Sequence, residues 1–235
     1  MLSSVDIVIP AYNEEKDLPR SVAVLWDFLN EHLPYQWQIV IADNGSTDKT
    51  LAVAQALSQQ YPQVAYVHLD QKGRGRALRR AWLGSRADAV SYMDVDLSTK
   101  LDAFPNLIKA LDEGYGVAIG SRLMRGSKVR RSLKREITSR GYNLLIKIMF
   151  WPSFSDAQCG FKAVRRDVVQ DIVPLTRDNA WFFDTELLLL AQKRGYRIKE
   201  VPVEWVEDAG STVKIAKTAW EDIKGLLRLR FRPPF

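Results

Sequence analysis

The chain has 235 residues, and 46% of them are hydrophobic, which is enough for one domain with a sizeable core. Its single cysteine, Cys159, excludes an internal disulfide and a cysteine-based zinc site. Only His32 and His68 could add imidazole ligands, so oxygen atoms must supply most of the ligands of any bound metal. The N-terminus lacks the basic start and apolar run of a signal peptide, and no apolar stretch approaches ~20 residues, so we expect neither a signal peptide nor a transmembrane helix.

The net charge of +6 is unevenly distributed along the chain. Residues 121–150 hold nine basic residues and one acidic residue, and residues 212–235 hold six basic residues and two acidic ones. These two segments together carry +12, so the remainder of the chain carries −6. A basic patch on an acidic body indicates a localised anionic partner, and phospholipid and nucleic acid are the two candidates.

Strands and helices alternate over the first 120 residues. Short β-branched runs predict the strands, and apolar residues at helical spacing predict the helices between them. The predicted strands are 5–9, 37–42, 64–69, 88–93 and 115–120, and the predicted helices are 15–30, 48–60, 75–86 and 102–112. This alternation implies an α/β fold with a mainly parallel sheet and helices on both faces.

Four polar turns follow these strands, namely Pro10–Glu14, Asp43–Asp48, Lys72–Gly75 and Asp94–Ser98. Open α/β sheets bind ligands at the carboxyl ends of their strands, so we expect the turns to gather at one edge of the sheet. Gly73 and its neighbours open a helix, and a helix N-terminus lined by small residues suits a phosphate. A solvated basic turn is the alternative interpretation of that segment.

Asp94 and Asp96 stand one residue apart at the end of a predicted strand. Side chains at positions i and i+2 of an extended segment point to the same face, so the two carboxylates can converge on one divalent cation. Mg²⁺ and Mn²⁺ prefer oxygen ligands, and Mg²⁺ often sits between carboxylates and substrate phosphates. The pattern indicates a metal that holds a nucleotide diphosphate, with a solvated loop as the alternative.

The second half of the chain has a different pattern. Predicted helices 131–150, 181–193 and 213–231 are separated by extended segments 158–164 and 197–205. The first and last of these helices are basic and carry apolar residues at helical spacing. Such helices can lie in a membrane interface, and core helices whose lysines reach to solvent are the alternative.

Six motifs occur in one order along the chain. They are Pro10-Ala11-Tyr12-Asn13-Glu14, Asp43-x-Gly45-Ser46-Thr47-Asp48, Lys72-Gly73-x-Gly75, Asp94-x-Asp96, Gly120-Ser121-Arg122 and Gln158-Cys159-Gly160-Phe161-Lys162. The ordered set resembles the family-two glycosyltransferases of the GT-A fold over about residues 5–230. The runs Asp156–Lys162, Trp181–Glu186 and Gly210-Ser211 resemble the polyprenyl-phosphate branch of that family, especially the dolichyl-phosphate β-glucosyltransferases.

The resemblance implies a pocket for the base and the ribose of a nucleotide sugar. Pro10, Tyr12 and Glu14 would line this pocket, and Asp43 would accept a hydrogen bond from the base. The family often has a second Asp where this chain has Asn44, although an asparagine can still form hydrogen bonds.

The resemblance also implies a site for the donor diphosphate. Lys72 and Gly73 would lie against the phosphates, and Asp94 would lie near the ribose and the metal. Asp96 would be the direct ligand of Mg²⁺ or Mn²⁺, which acts as a Lewis acid on the leaving diphosphate. Ser98 stands where some relatives use Gln as a further ligand, and a hydroxyl is a poorer cation ligand.

On the acceptor side, Arg122 resembles an arginine placed between the donor and acceptor phosphates, because a guanidinium can bind phosphate in bidentate fashion. Asp156 is a candidate base or orienting group, and a loop carboxylate without a role in the reaction is the favoured alternative. One of Asp184 and Glu186 is expected to orient Lys162 or the acceptor site. For each arginine a solvated or lipid-facing position is the alternative. The further acceptor-side candidates are Arg131, Arg135, Gln158, Lys162 and Ser211.

The activity implied is an inverting, metal-dependent transfer of glucose from UDP-glucose to dolichyl or undecaprenyl phosphate. A lipid phosphate is anionic at neutral pH, so it can attack the anomeric carbon without a strong general base. The alternatives are GDP-mannose as the donor, a soluble glycosyltransferase acting on a glycan or protein, and a non-catalytic sugar-nucleotide module. Nucleic-acid binding has no motif in its support.

One GT-A domain is expected over residues 1–235, with a nucleotide-sugar half at 1–120, an acceptor half at 121–211 and an amphipathic tail at 212–235. A lipid acceptor together with the basic tail implies peripheral attachment to an anionic membrane surface, on its cytoplasmic face.

Overall fold

The computed structural model describes residues 2–130, 132–207 and 215–234, and most of its strands lie in one sheet. The strands are β1 (Ser4–Ala11), β2 (Gln36–Asn44), β3 (Val64–Leu69), β4 (Ala89–Met93), β5 (Val117–Ser121), β6 (Lys128–Arg130), β7 (Phe161–Arg165), β8 (Ile198–Pro202) and β9 (Glu204–Val206). Seven of them form a sheet in the order β3-β2-β1-β4-β7-β5-β8, and β6 pairs with β9 in a second sheet. Only β7 runs antiparallel to its neighbours among these described strands.

Helices cover both faces of the large sheet. They are α1 (Leu18–His32), α2 (Thr50–Gln60), α3 (Arg74–Gly84), α4 (Phe104–Asp112), α5 (Leu133–Phe150), α6 (Arg166–Ile172), α7 (Phe183–Lys193) and α8 (Ile215–Phe231). Successive residues of a strand point to opposite faces. In β1, Ile7 and Ile9 pack in one buried cluster with α1, α2 and α4, whereas Val8 packs in the other cluster with α3, α5, α6, α7 and α8.

The predicted alternation of strands and helices over the first 120 residues is confirmed, as is the mainly parallel sheet. The strand order is not sequential, because β7 from the second half lies between β4 and β5. Phe161, the first residue of β7, lies opposite Met93, the last residue of β4. The antiparallel direction of β7 therefore brings the segment before it to the carboxyl end of β4.

Several predicted boundaries differ from the structure. The predicted strand 197–205 is divided at Val203, because the chain leaves β8 to pair β9 with β6. Helix α6 and strand β6 were not predicted, since they are only seven and three residues long. Helix α1 begins at Leu18, with Pro19 in its first turn, and α7 begins at Phe183. Residues 213–214 of the last predicted helix lie outside the described residues.

The carboxyl ends of β1, β2, β3 and β4 meet at one edge of the sheet, as predicted. Ala11 lies opposite Asp43, and Asp43 lies opposite His68 in the next strand. Within the described ranges, every helix is too short or too polar to cross a bilayer.

Candidate active site

Side-chain hydrogen bonds join the turns that follow β1 and β2. Asn13 has a φ of 57°, a conformation that asparagine tolerates better than most residues. The Asn13 amide donates to Ser46 Oγ at 3.0 Å, and Asn13 Oδ1 accepts from the Thr47 amide at 2.8 Å. The residues predicted to line the base pocket lie next to Asn13 in the sequence, and they are Pro10, Tyr12 and Glu14.

Asp43 is covered by two neighbours. Its Oδ2 lies 2.6 Å from Nδ1 of His68, and its Oδ1 accepts a hydrogen bond from the Ser46 amide at 3.3 Å. Asp43 has no exposed surface, whereas 35% of the His68 side chain is exposed. The carboxylate predicted to bind the base is thus paired with a histidine that was not predicted. The signal for His68 was available in its position at the end of β3, beside Asp43.

Three backbone amides at the start of α3 donate to acceptors within the protein. The Gly73 amide donates to Asn44 Oδ1 at 3.0 Å, the Gly75 amide to Ala180 O at 3.2 Å, and the Arg76 amide to Asn179 O at 3.2 Å. A Cβ atom on Gly73 would lie 2.5 Å from Asn179 O. The absence of a side chain at Gly73 thus admits the protein's own backbone, and the binding of a phosphate by Gly73 and this helix N-terminus stays a prediction.

Asn44 and Lys72 flank the same turn. Asn44 is buried, and its amide nitrogen donates to Ala11 O at 3.0 Å while its oxygen accepts from Gly73. An aspartate could not make the first of these bonds, which gives a physical reason for the asparagine. The Lys72 ammonium lies 3.3 Å from the centre of the Tyr12 ring, so this predicted phosphate ligand lies beside the predicted base pocket.

A buried ionic network lies beneath the end of β4. Arg74 donates to Asp94 Oδ1 at 2.7 Å and to Asp184 Oδ2 at 2.6 Å. Burial alone would lower the pKa of Arg74, but Tyr92, Asp94 and Asp184 raise it well above its ordinary value. Arg74 is therefore a fixed cation that orients Asp94. Sequence reasoning missed Arg74, because both of its partners lie far along the chain.

Asp94 and Asp96 line a small cleft at the carboxyl end of β4. Leu97 has a φ of 48°, which turns the chain sharply after the two carboxylates, and the Ser98 amide donates to Asp96 Oδ1 at 2.9 Å. Gly160 also lines the cleft, and a Cβ atom there would lie 1.9 Å from Asp94 Oδ2. The carboxylate of Asp94 therefore occupies the space that any larger residue at position 160 would need.

Arg122 is held by Asp156 in bidentate fashion. Arg122 Nε lies 2.8 Å from Asp156 Oδ2 and Nη2 lies 2.9 Å from Oδ1, and the Arg122 amide also donates to Oδ2 at 3.0 Å. Asp156 has no exposed surface. Burial would raise the pKa of Asp156, but Arg122 lowers it below its ordinary value. Of the two predicted roles for Asp156, this geometry fits the orienting group and not the base.

Lys162 lies beneath the site and has no exposed surface. Its ammonium donates to Cys159 O at 2.5 Å and to Tyr92 Oη at 3.1 Å, and it lies 3.2 Å from Asp184 Oδ1. Burial would raise the pKa of Asp184, but Lys162 and Arg74 lower it. The prediction that Asp184 or Glu186 orients Lys162 thus applies to Asp184. Direct substrate contact by Lys162 does not fit its burial, so we assign it to positioning.

The remaining acceptor-side candidates are dispersed. Arg135 pairs with Glu207 at 2.9 Å, and Gln158 Nε2 donates to Asp222 Oδ2 at 3.1 Å. Arg131 and Ser211 lie outside the described residues. The described part of the chain contains no group of three or more His, Cys, Asp or Glu residues that could hold a metal ion.

Comparisons with curated proteins agree with this architecture. The chain is 35% identical over 225 residues to the glycosyltransferase AglD of Haloferax volcanii, covering 94% of this chain but 35% of that protein. It is 33% identical over 224 residues to a dolichyl-phosphate β-glucosyltransferase of Trichomonas vaginalis, covering 90% of this chain and 68% of that protein. The chain therefore spans about a third of the first relative and about two thirds of the second.

Solved structures show the same fold. Glucosyl-3-phosphoglycerate synthase from Mycobacterium tuberculosis in complex with UDP superposes with a TM-score of 0.71 at 20% identity, over 96% of this chain and 79% of that one. At this identity the likeness concerns the fold, which is the GT-A fold predicted from the motifs. The family model for glycosyl transferase family 2 matches residues 6–173. Since this match covers more than half of the chain, the chain belongs to glycosyl transferase family 2.

Proposed function

We propose that this chain transfers a hexose, specifically glucose from UDP-glucose, to a polyprenyl phosphate with inversion at the anomeric carbon. The observation that carries the proposal is the arrangement around residues 156–160. Asp156 fixes the Arg122 guanidinium, and four residues later Gly160 packs against Asp94. One short segment therefore supports both the Arg122 guanidinium and the carboxylate of Asp94.

The carboxylates suit a divalent cation. Asp94 and Asp96 offer the hard oxygen ligands that Mg²⁺ and Mn²⁺ prefer, and both line the cleft at the end of β4. A solved structure of the mycobacterial synthase named above contains Mn²⁺ and UDP. When bound here by Asp96, with Asp94 beside it, the ion would act as a Lewis acid toward the departing diphosphate.

The chain's own residues would orient the two phosphates. Arg122 is pre-organised by Asp156 and needs little reordering to bind an anion. A phosphate monoester carries its own nucleophilic oxygen, so the acceptor requires no general base. This agrees with the pairing of Asp156, whose pKa is lowered by Arg122 against the effect of burial. The dolichyl-phosphate β-glucosyltransferase name of several relatives supports a lipid phosphate as the acceptor.

Exposed apolar side chains support attachment to a membrane surface. They recur along α5 and α8, and exposed basic residues lie between them. The apolar residues are Leu133, Ile137, Leu144, Ile148, Trp151, Trp220, Leu227 and Phe231. The exposed basic residues are Arg140, Lys147, Lys224, Arg230 and Arg232. A basic helix with an apolar face binds the interface of an anionic bilayer, with ~1 kcal/mol per basic residue near the surface. We place this bilayer surface on the cytoplasmic side.

Product formation tests the proposal. The protein is incubated with UDP-[¹⁴C]glucose, Mn²⁺ or Mg²⁺, and a polyprenyl phosphate in vesicles, and label in the lipid fraction is counted. Label in the lipid supports the proposal. Label transferred only from GDP-mannose, or only to a soluble glycan or protein, would refute the donor or the acceptor respectively. Asp96→Ala should abolish transfer, whereas Asp27→Ala, at an exposed position of α1, should not.

A further inference from the structure

The inner face of α8 contacts the segments that hold the site. Asp222 accepts a hydrogen bond from Gln158 Nε2 at 3.1 Å, and Arg228 Nη2 donates to Glu186 Oε1 at 2.6 Å. Between them, Gly225 lies so close to the Phe182 ring that a Cβ atom would be 2.4 Å from its Cδ1. In addition to its buried Leu226 and Leu229, helix α8 therefore makes two polar contacts and one close apolar contact with these segments.

The Asp222 contact leads to the acceptor side of the site. The backbone amide of Gln158 donates to Asp156 Oδ1 at 3.1 Å, and Asp156 holds Arg122. Gly160, in the same segment, supports Asp94. A shift of α8 that moves Gln158 would thus move residues that contact both Arg122 and Asp94.

The Arg228 contact leads to the donor side. Glu186 Oε2 accepts the amides of Arg177 and Asp178 at 2.9 Å and 2.8 Å, which fixes the segment 176–180. The carbonyl groups of residues 179 and 180 in that segment accept the Arg76 and Gly75 amides that open α3. Arg74, the cation that orients Asp94, lies at this same helix start.

Asp222 makes an incomplete contact. It is buried, and its Oδ1 has no hydrogen-bond partner among the described residues. Burial raises the pKa of Asp222, and the negative charges of Asp178 and Asp184 raise it further. A buried carboxylate beside two others opposes docking of α8, so the helix is held less tightly than its burial suggests.

The outer faces of α5 and α8 favour docking of α8 when a bilayer is present. The two helices pack against each other, and the groove between them is lined by Ile148, Trp151 and Leu229. A bilayer can bind both apolar stripes at once only when α8 is docked beside α5. A bilayer that binds the protein more tightly when α8 is docked therefore increases the fraction of molecules in which α8 is docked.

We propose that α8 is a positioning helix, which couples binding of an anionic bilayer to the alignment of segments 156–160 and 176–180 through Asp222 and Arg228. This inference rests on the proposed transferase function for its consequence in catalysis. The coupling itself concerns the structure of the two segments, so it can be measured without any substrate.

Hydrogen exchange of backbone amides, with and without vesicles of anionic lipid that lack any acceptor, measures the coupling. In the unmodified protein, vesicles should slow exchange of the Gly75, Arg76, Arg177 and Asp178 amides by about fivefold or more. Arg228→Met keeps a long unbranched side chain but removes the ion pair with Glu186, so vesicles should no longer slow exchange in this variant. Arg232→Met removes the same charge from an exposed position just beyond the end of α8. At a saturating vesicle concentration it controls for the loss of one basic residue from the membrane-binding surface, and it should keep the slowing.

Transfer to a short, water-soluble isoprenoid phosphate provides the catalytic readout. Acceptor-free vesicles should raise kcat by about fivefold with little change in KM for the donor, and Arg228→Met should lose the increase. The inference would be overturned if the protein bound vesicles without slowed exchange, or did not bind them at all. It would also be overturned if the two arginine variants responded equally. Slowed exchange without any transfer activity would uphold the coupling and refute the proposed function.

Discussion

Gly160→Ala probes the contact between the segment before β7 and the carboxylate pair. The new Cβ atom would lie 1.9 Å from Asp94 Oδ2 and 2.7 Å from its Cγ. Ordinary contacts between such atoms are about 3.5 Å, so Asp94 or the segment must move by about 1.5 Å. Arg74 holds the other carboxylate oxygen, Oδ1, at 2.7 Å, so a movement of Asp94 of this size disturbs that ion pair.

A displacement of ~1 Å in a positioning group can cost ~10²-fold in rate, so we expect kcat of Gly160→Ala to fall by about that factor. The assay is transfer of labelled glucose at saturating donor, with circular dichroism to establish that the fold is kept. Gly141→Ala is the matched control, because nothing lies within 4 Å of a Cβ atom at that position. A Gly160→Ala variant whose kcat stays within about twofold of the unmodified protein would refute the reasoning.

Three further substitutions test the contacts described above. Asn44→Asp loses the bond to the Ala11 carbonyl and should lower the free energy of unfolding by ~1–3 kcal/mol, measured by urea denaturation. Asp156→Asn weakens the bidentate support of Arg122 and should lower kcat/KM for the acceptor by about tenfold, with donor binding retained in a calorimetric titration. Burial, and then Asp178 and Asp184, raise the pKa of Asp222 to about 7. Its stabilising contribution is therefore complete below pH ~4 and lost as the pH rises to 7, and Asp222→Asn should remove that decline in a series of unfolding measurements.

The parts of the site that follow from local pattern were predicted from the sequence. Asp94 and Asp96 lie at the predicted edge because they follow a strand, and parallel strands end at one edge of the sheet. The prediction assumed an extended segment, whereas Asp96 lies in the turn after β4, which ends at Met93. The turns after β1 and β2 meet there for the same reason, and Asn13 joins them. Such features depend on strand order and period alone, which a single sequence carries.

The parts that depend on distant partners were not predicted. Arg74 is a site residue because Asp184, 110 positions away, and Asp94 neutralise it in a buried position. His68 matters because its strand pairs beside Asp43. The partnership of Arg74 does not follow from residue types or spacing, since it depends on the folded arrangement of the strands and helices. That of His68 could have been inferred from its place near the end of the predicted strand 64–69.

Gly73 shows that one sequence pattern can have two physical reasons. Small residues before a helix allow either an anion or another backbone segment to approach closely. In this chain the carbonyl of Asn179 takes that place, and the Gly73 amide is satisfied by Asn44. The segment 176–180 that fills this space carries no recognisable motif, so only its position in the fold identifies it.

The central claim is that Asp96, beside Asp94, holds a divalent cation against the diphosphate of a nucleotide sugar. Calorimetric titration of UDP-glucose into the protein, with and without Mn²⁺, tests it without any lipid or turnover. We expect Mn²⁺ to tighten binding by about tenfold or more, and Asp96→Ala to lose that gain while Asp27→Ala keeps it. Affinity for UDP-glucose that is the same with and without Mn²⁺, or a gain that survives in Asp96→Ala, would contradict the claim.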